Sequence, residues 1–327
     1  VDGLRDDSVR VLKRLVDPSR GDYCTPSLAV LAKHVVDQNE TLRTAARLLF
    51  RPYCATSEPY TLIRLTDSWS AQLSRNGVEP GALLVLGLVA AEQFAYMSPA
   101  LLKQVSQTVA QCVSPRAPPE HAAVALELCS TGFGIWQHYV DAVALVRGIF
   151  ELATDDKANI QLRSAARRAT LALAAQHGPL FMSTLAMDIL HPPTTHFSQV
   201  ALRLVAFIVR HKPLALYPSL PRLAEVVVKS LDPTAARSSM IQAATVMINE
   251  LVQTYPSISF HRESQRLAVG TYDGPVVLYD LKSGTRYCVL SGHAKSVTAC
   301  SFSPDGRRFL SMSLEEERVL IWNIGTG

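Results

Sequence analysis

The sequence predicts a mainly α chain that ends in short antiparallel strands, and three observations predict it. Apolar residues recur at helical spacing from the amino-terminal region to about Tyr255. Proline- and aspartate-rich breaks interrupt that pattern at regular intervals. After Pro256 the pattern becomes one of short strands separated by tight turns. The expected division is a helical-repeat domain over residues 1–255 and a β module over residues 256–327.

The helices carry their own evidence. In FSQVALRLVAFI, the residues Phe197, Val200, Ala201, Leu204, Val205 and Ile208 fall on one stripe. MIQAATVMINEL repeats the pattern through Ile241, Ala244, Thr245, Ile248 and Leu251. Its other face carries Met240, Val246 and Met247, which predicts a helix buried on two sides. Helix starts are marked near Pro118, Asp155, Pro193 and Pro233, roughly 40 residues apart, with about two helices per interval. That period is the one of HEAT or armadillo helix pairs and predicts an α-solenoid. Each pair would bury its apolar face on its neighbours and leave one long surface free for other proteins. Residues 1–115 are helical but less regular, with DPSRGDYCTPS and SRNGVEPG as connections. Gly132 and Gly134 interrupt a helical run in STGFGIWQHYV, which predicts a break with Phe133 and Trp136 packed in the gap. The competing reading makes Trp136 an exposed aromatic anchor for a partner.

Beyond Pro256 the strands are expected near residues 257–260, 266–271, 276–280 and 287–290, with turns at HRES, YDG and LKSG. The pattern then recurs as SVTACSFS, a PDGR turn, RFLSMS, an LEEE turn and RVLIWNI. Aligning Tyr279-Asp280 with Trp322-Asn323 superimposes the two units at a separation of 43 residues. That is the spacing of WD40 blades, about 40–45 residues. Gly292-His293 stands before the second unit as its GH pair, and Trp322-Asn323 closes it as the WD-like pair. Asp305 and Gly306 form the tight turn. In WD40 units an Asp six residues before the Trp position hydrogen-bonds the GH histidine. Asp273 holds that place before Tyr279, and Glu316 takes it before Trp322. The first unit has no GH pair. Two units cannot close a ring, because propellers take about four to eight blades. Their open edges therefore invite either completion from elsewhere, docking on the helices, or association with another protein.

The rest of the sequence argues against chemistry. The net charge is +4 and the pI near 8.7, without the concentrated basic face of a nucleic-acid binder. Cys24, Cys54, Cys112, Cys129, Cys288 and Cys300 are scattered, with no C-x-x-C pair and no zinc spacing, and read as reduced buried thiols of a cytosolic protein. The sequence contains no P-loop, no G-x-S-x-G and no H-E-x-x-H, and asks for no cofactor or metal. His293 reads as the blade histidine, against a base or metal ligand. Arg163, Arg167 and Arg168 share a helix preceded by Lys157; they read as a solvated face, or more sharply as a surface for an acidic partner. Asp155-Asp156 reads as a capping cluster. The most apolar stretch, Ala82 to Ala91, is shorter than the roughly 20 residues that span a bilayer. No signal peptide is evident, and a start at Val1 suggests a portion of a longer polypeptide.

Three stretches carry a family resemblance: GFGIWQHYVDAVALVRGIFELATD (132–155), RSAARRATLALAA (163–175), and the segment from Arg266 to Ser313. They resemble the carboxy-terminal part of the Rabconnectin-3 beta family of WD-repeat proteins, over roughly the last 200 residues. The order of helical repeats followed by two WD40 units is similar too. The resemblance implies a non-catalytic scaffold that works with a Rabconnectin-3 alpha-like subunit. It implies a part in assembly of the V-ATPase, whose V1 sector is a partner, and in acidification of endomembrane compartments, as in the yeast RAVE system. It implies a cytoplasmic location, peripheral to endosomal, vacuolar or synaptic-vesicle membranes through partners. A solenoid adaptor in vesicle trafficking or cargo transport is the alternative.

Overall fold

The computed structural model describes residues 26–73, 79–231 and 238–325. The chain is mainly α and ends in two antiparallel sheets. Cys24, the segment around Pro233, the side chains of Met240 and Ile241, and most of the two expected connections lie outside the described residues. Contacts group the chain into two compact units: residues 1–148 with 159–165, and residues 149–158 with 166–327.

In the first unit, α1 (Leu28–His34), α2 (Glu40–Thr56), α3 (Pro59–Leu73), α4 (Pro80–Gln93), α5 (Pro99–Cys112) and α6 (Pro119–Trp136) follow one another. Their starts are chemically marked. Ser27, Asn39 and Ser98 each accept a backbone N–H of the first turn of α1, α2 and α5, and α4, α5 and α6 begin on proline. The apolar stretch read from the sequence is α4, in which every residue from Gly81 to Ala90 is buried. It packs against α2, α3, α5 and α6, so a helix apolar all round is the one covered all round. A Cβ on Gly87 would lie 2.4 Å from Leu128 Cδ1, so glycine lets α4 and α6 approach closely. Arg47 ties the flank by donating to the Val35 carbonyl at 2.7 Å and to Glu127 at 2.7 Å.

One expectation fails here. No break falls at Gly132 and Gly134; α6 runs through both to Trp136. The glycine has a different task. A Cβ on Gly132 would sit 2.7 Å from the Trp136 ring, so its absence lets the indole fold back one turn along its own helix. There the ring N–H donates to the Leu128 carbonyl at 3.0 Å.

The helices continue with α7 (Ala142–Thr154) and α8 (Ile160–Gln176), and the second unit adds α9 (Gly178–Leu190), α10 (Thr195–His211), the short α11 (Pro213–Leu216), α12 (Leu220–Lys229) and α13 (Ser238–Thr254). The expected stripe of α10 is buried from Val200 to Ile208. In α13 the buried row is Ala244, Met247, Ile248 and Leu251, while Val246 is half exposed at 50%. Of the expected second face, Met247 is therefore covered and Val246 is not.

The chain passes from α13 into the first sheet within four residues, 254 to 258. Strands β1 (Ile258–His261), β2 (Arg266–Gly270), β3 (Val276–Asp280) and β4 (Thr285–Leu290) pair in sequence order. Strands β5 (Ala299–Phe302), β6 (Arg308–Ser313) and β7 (Arg318–Asn323) form a second sheet, also in sequence order. Gly274 and Gly306 turn at φ +107° and +65°, conformations that glycine adopts without strain.

The first sheet is covered on both faces. One face meets α12 and α13. There the Tyr279 hydroxyl lies 3.4 Å from the Pro221 carbonyl and Arg286 lies 3.7 Å from Glu225. Burial pushes the Tyr279 phenol up to about 12. Above the sheets, the Tyr217 hydroxyl reaches the Val297 carbonyl at 3.4 Å. The other face, with Ala268, Val276 and Leu278, shares a core with Cys300 and Phe309 of the second sheet.

Candidate functional site

The site grows from the inner face of the second sheet. The pairing Phe309↔Trp322 and Ser311↔Leu320 sets these four side chains on that face. Trp322 lies against Gly292, where a Cβ would come within 2.7 Å of the ring, so the GH glycine is a matter of room. His293 follows, with its side chain fully buried.

A continuous hydrogen-bond chain runs through it. The Trp322 Nε1–H donates to Ser311 Oγ at 2.9 Å. Ser311 Oγ lies 3.0 Å from His293 Nε2, and His293 Nδ1 lies 2.7 Å from Glu316 Oε2. The Ala294 N–H donates to Glu316 Oε1 at 2.6 Å. Every group is satisfied when the imidazole is neutral with its proton on Nδ1: tryptophan donates to serine, serine to histidine, and histidine to glutamate. The Ala294 amide, and then His293, hold the Glu316 carboxyl below the ordinary glutamate value of 4.5. Glu316 thus does for this histidine what the family pattern asks of an aspartate. The longer side chain still reaches, and the adjoining Glu315 accepts from the Ser296 hydroxyl at 3.0 Å. Asp273 is exposed and stands outside this network.

His293, Ser311 and Glu316 also stand in the order of a nucleophile relay. Ser311 is fully buried, and its oxygen already accepts from Trp322. The hydroxyl holds the tryptophan and meets no solvent. The network fastens the loop before β5 onto the β6–β7 hairpin.

The turn residues complete the blade. Asp305 accepts from the Ser303 hydroxyl at 2.5 Å and from the Arg307 amide at 3.0 Å, and these bonds hold its carboxyl below the usual aspartate range. Asp280 accepts from the Lys282 amide at 2.9 Å. The two sheets interlock through β1 and β5. The Cys300 N–H donates to the Pro256 carbonyl at 3.0 Å, and its thiol lies 3.1 Å from the Ser257 carbonyl. The Phe302 N–H donates to Ser259 Oγ at 3.3 Å, and Arg266 Nη1 reaches the Ile324 carbonyl at 3.4 Å. His261 Nε2 lies 3.1 Å from the Pro304 carbonyl. Like positions of successive units touch, which is how blades stack in a propeller. Residues 284–323 match the family model described as "WD domain, G-beta repeat".

Strand β4 and the second sheet thus match the WD40 repeat, and the first sheet resembles it in strand order and register. The segment is 34% identical over 71 residues to WD repeat-containing protein 1 of Gallus gallus, covering 21% of this chain and 12% of that protein. It is 34% identical over 70 residues to WD repeat-containing protein SL1-17 of Schistosoma mansoni, covering 21% of this chain and 23% of that one. The match therefore spans less than a quarter of either relative. An engineered protein solved by the Northeast Structural Genomics Consortium aligns over 70% of this chain and 98% of its own, at 15% identity and a TM-score of 0.29, too low to assign a fold.

Apart from the WD40 segment, the expected partner surface thins out. Trp136 is fully buried and offers no surface, because its ring fills the space beside Gly132. Arg167 is turned inward: its Nε donates to the Ala153 carbonyl at 3.2 Å, and its guanidinium lies 4.9 Å from the centroid of the Phe207 ring. Arg163 is half-buried, and Arg168 is exposed. Asp155 accepts from the Lys157 amide at 2.8 Å, organising the turn before α8. Among the described residues no group of His, Cys, Asp and Glu is arranged to hold a metal, and no helix is long and apolar enough to cross a membrane.

Sequence reasoning missed Ser311. A serine inside a strand reads as a surface residue. The only available signal was its place eleven residues before Trp322, on the face of Phe309.

Proposed function

We propose that this chain is part of a non-catalytic scaffold of the Rabconnectin-3 beta type, dividing into a helical module over residues 1–255 and a WD40 module over 256–327. WD40 repeats build surfaces for protein partnership. The observation that carries the reading is the seam. Helix α13 runs into β1 within four residues, and α12 covers the first WD40 sheet through the Tyr279–Pro221 and Arg286–Glu225 contacts. On this reading the helical repeats and the blades offer partners one continuous surface. The 132–155 and 163–175 stretches supply the link to this family. On this reading the partners are a Rabconnectin-3 alpha-like subunit and the V1 sector of the V-ATPase, met in the cytoplasm at endosomal or vacuolar membranes. Arg168 stays available on the helical surface.

The test is deletion of residues 257–327 in the parent protein, with vacuolar pH and co-purification of the alpha-type partner as readouts. Loss of partner and a rise in luminal pH are expected. Unchanged acidification with intact partner binding overturns the role assigned to the blades. Recovery of coat or transport-receptor proteins in place of V1 subunits would favour a trafficking adaptor.

A further inference from the structure

The two carboxy-terminal sheets share their ends as well as a core. The registers His261↔Arg266 and Asp280↔Thr285 put the β1–β2 and β3–β4 turns at one end of the first sheet. The register Phe302↔Phe309 puts the β5–β6 turn at one end of the second. His261 Nε2 lies 3.1 Å from the Pro304 carbonyl, so the three turns stand at the same end. The β2–β3 and β6–β7 turns lie at the opposite end. There a Cβ on Gly274 would come within 2.2 Å of the His293 carbonyl oxygen.

These ends differ in charge. Each of the three turns at the first end presents one exposed cation: Arg262, Lys282 and Arg307. The carboxylates there are Glu263, Asp280 and Asp305, and the last two accept the amides of Lys282 and Arg307 at 2.9 and 3.0 Å. Arg266, Arg286 and Arg308 at the adjoining strand starts tip the balance further toward positive. Glu225, which faces Arg286 at 3.7 Å, is already paired with Lys229 at 2.8 Å. The turns of the opposite end carry Asp273, Glu315, Glu316 and Glu317, with Lys295 and Arg318 beside them.

The cationic end has charge and little else. None of its three turns carries an exposed aromatic or large aliphatic side chain. A protein interface is centred on such anchors, and single-stranded nucleic acid stacks its bases on them. A layer of anionic headgroups asks only for cations within reach. Turn residues also stay accessible whatever packs against the faces of the sheets.

We propose that this end of the sheets, through Arg262, Lys282 and Arg307, docks on an anionic membrane surface. The acidic end then points away from it. The contact is electrostatic, reversible and salt-sensitive, with no inserted side chain. The inference goes beyond the scaffold reading, in which partners bring the chain to membranes.

The test is co-sedimentation of the full chain with vesicles of phosphatidylcholine and phosphatidylserine, mixed at about 2:1. Binding is expected to these vesicles, not to phosphatidylcholine alone, and is expected to vanish at about 0.5 M salt. Each cation at such a surface strengthens binding about fivefold. The triple variant Arg262→Gln, Lys282→Gln, Arg307→Gln is therefore expected to bind about 100-fold more weakly. Lys282→Gln alone should lose about fivefold, and Lys295→Gln, which removes the same charge at the opposite end, less than about twofold. The single pair decides the matter even if the triple variant misfolds.

Absence of binding to the anionic vesicles overturns the proposal. So does equal loss in Lys282→Gln and Lys295→Gln, which would assign binding to the charge of the whole chain. Capture of polyglutamate or of a single-stranded oligonucleotide through the same three residues, with vesicles ignored, overturns the membrane in favour of an acidic protein or a nucleic acid. Vesicle binding is measured on the chain alone, so its failure leaves the co-purification and luminal-pH result untouched, and the two readings fail separately.

Discussion

Leu278 and Ile321 occupy the same place in successive blades, paired across to Ala268 and Leu310. The first is wholly buried and the second is 71% exposed. Their sequence contexts, VVLYD and VLIWN, are nearly interchangeable. The difference comes from what lies beside the sheet. The first has a helix on one face and a blade on the other, while the second has a blade on one face and an open side on the other. A repeat thus specifies its own strands and register, and its neighbours decide which of its residues contribute to stability.

The sharpest way to break this comparison is to truncate both members. Leu278→Ala empties a packed position between two sheets and is expected to cost about 3 kcal/mol. Ile321→Ala removes a side chain that is mostly in water and is expected to cost about 0.5 kcal/mol or less. Hydrogen exchange of the β-strand peptides, read across a denaturant series, measures both. Equal costs would mean that the open face is already covered in solution.

A second test asks how the second sheet holds together with less cover. Its inner face carries the Trp322–Ser311–His293–Glu316 chain. Ser311→Ala deprives Trp322 Nε1 and His293 Nε2 of their partner at once, with no solvent to replace it. The expected loss is about 2 kcal/mol. It should be confined to β5–β7 and the Gly292-His293 loop, with β1–β4 exchange unchanged.

Much of this architecture was legible in the sequence, for a physical reason. Strand alternation, tight-turn residues and the separation between Tyr279 and Trp322 are local properties, so the positions of the strands among the described residues could be read directly. The helix start at Pro118–Pro119 was equally local. What could not be read depends on tertiary neighbours. Gly132 and Gly134 looked like a break because glycine disfavours helix, yet the Trp136 ring needs the space that a Cβ at Gly132 would fill. Trp136 and Arg167 looked available for a partner, and both are engaged inside the fold. Val246 was expected in the core, and it is half exposed. Ser311 has only its spacing before Trp322 as a signature until β6 and β7 are paired. Nor does anything in Leu220–Lys229 announce a helix that covers a blade.

Acid sharpens the comparison next, since the first sheet has no counterpart of the His293–Glu316 pair among its described residues. The Glu316 carboxyl titrates below its ordinary value of 4.5 in the folded chain. Its stabilising contribution is therefore complete above that value and is lost as the pH falls through the depressed one. The second sheet should loosen before the first as the pH drops below the ordinary glutamate value of 4.5. Glu316→Gln, which keeps the shape and removes the titration, should flatten that difference. The readout is Trp322 fluorescence against exchange in β2 and β3. A parallel decline of both sheets in the parent chain would assign acid sensitivity elsewhere.

The smallest expected effect lies in the turns. The β2–β3 turn places Gly274 at φ +107°, whereas the β6–β7 turn places Glu317 at φ +51°. A side chain in the left-handed region costs about 1 kcal/mol or somewhat more, and glycine recovers part of that at the expense of a more flexible unfolded chain. Glu317→Gly should therefore raise the stability of the second sheet by only about 0.5 kcal/mol. Glu317 neighbours Glu316, so the substitution also tests whether the strained turn is what aims the carboxylate at His293. If the glycine chain gains stability while the acid midpoint of Trp322 stays put, the network sets its own geometry and the turn follows. If the gain is absent and the midpoint moves toward the ordinary glutamate range, the strained backbone is holding Glu316 in place, and the second sheet relies on that turn for the cover its outer face lacks.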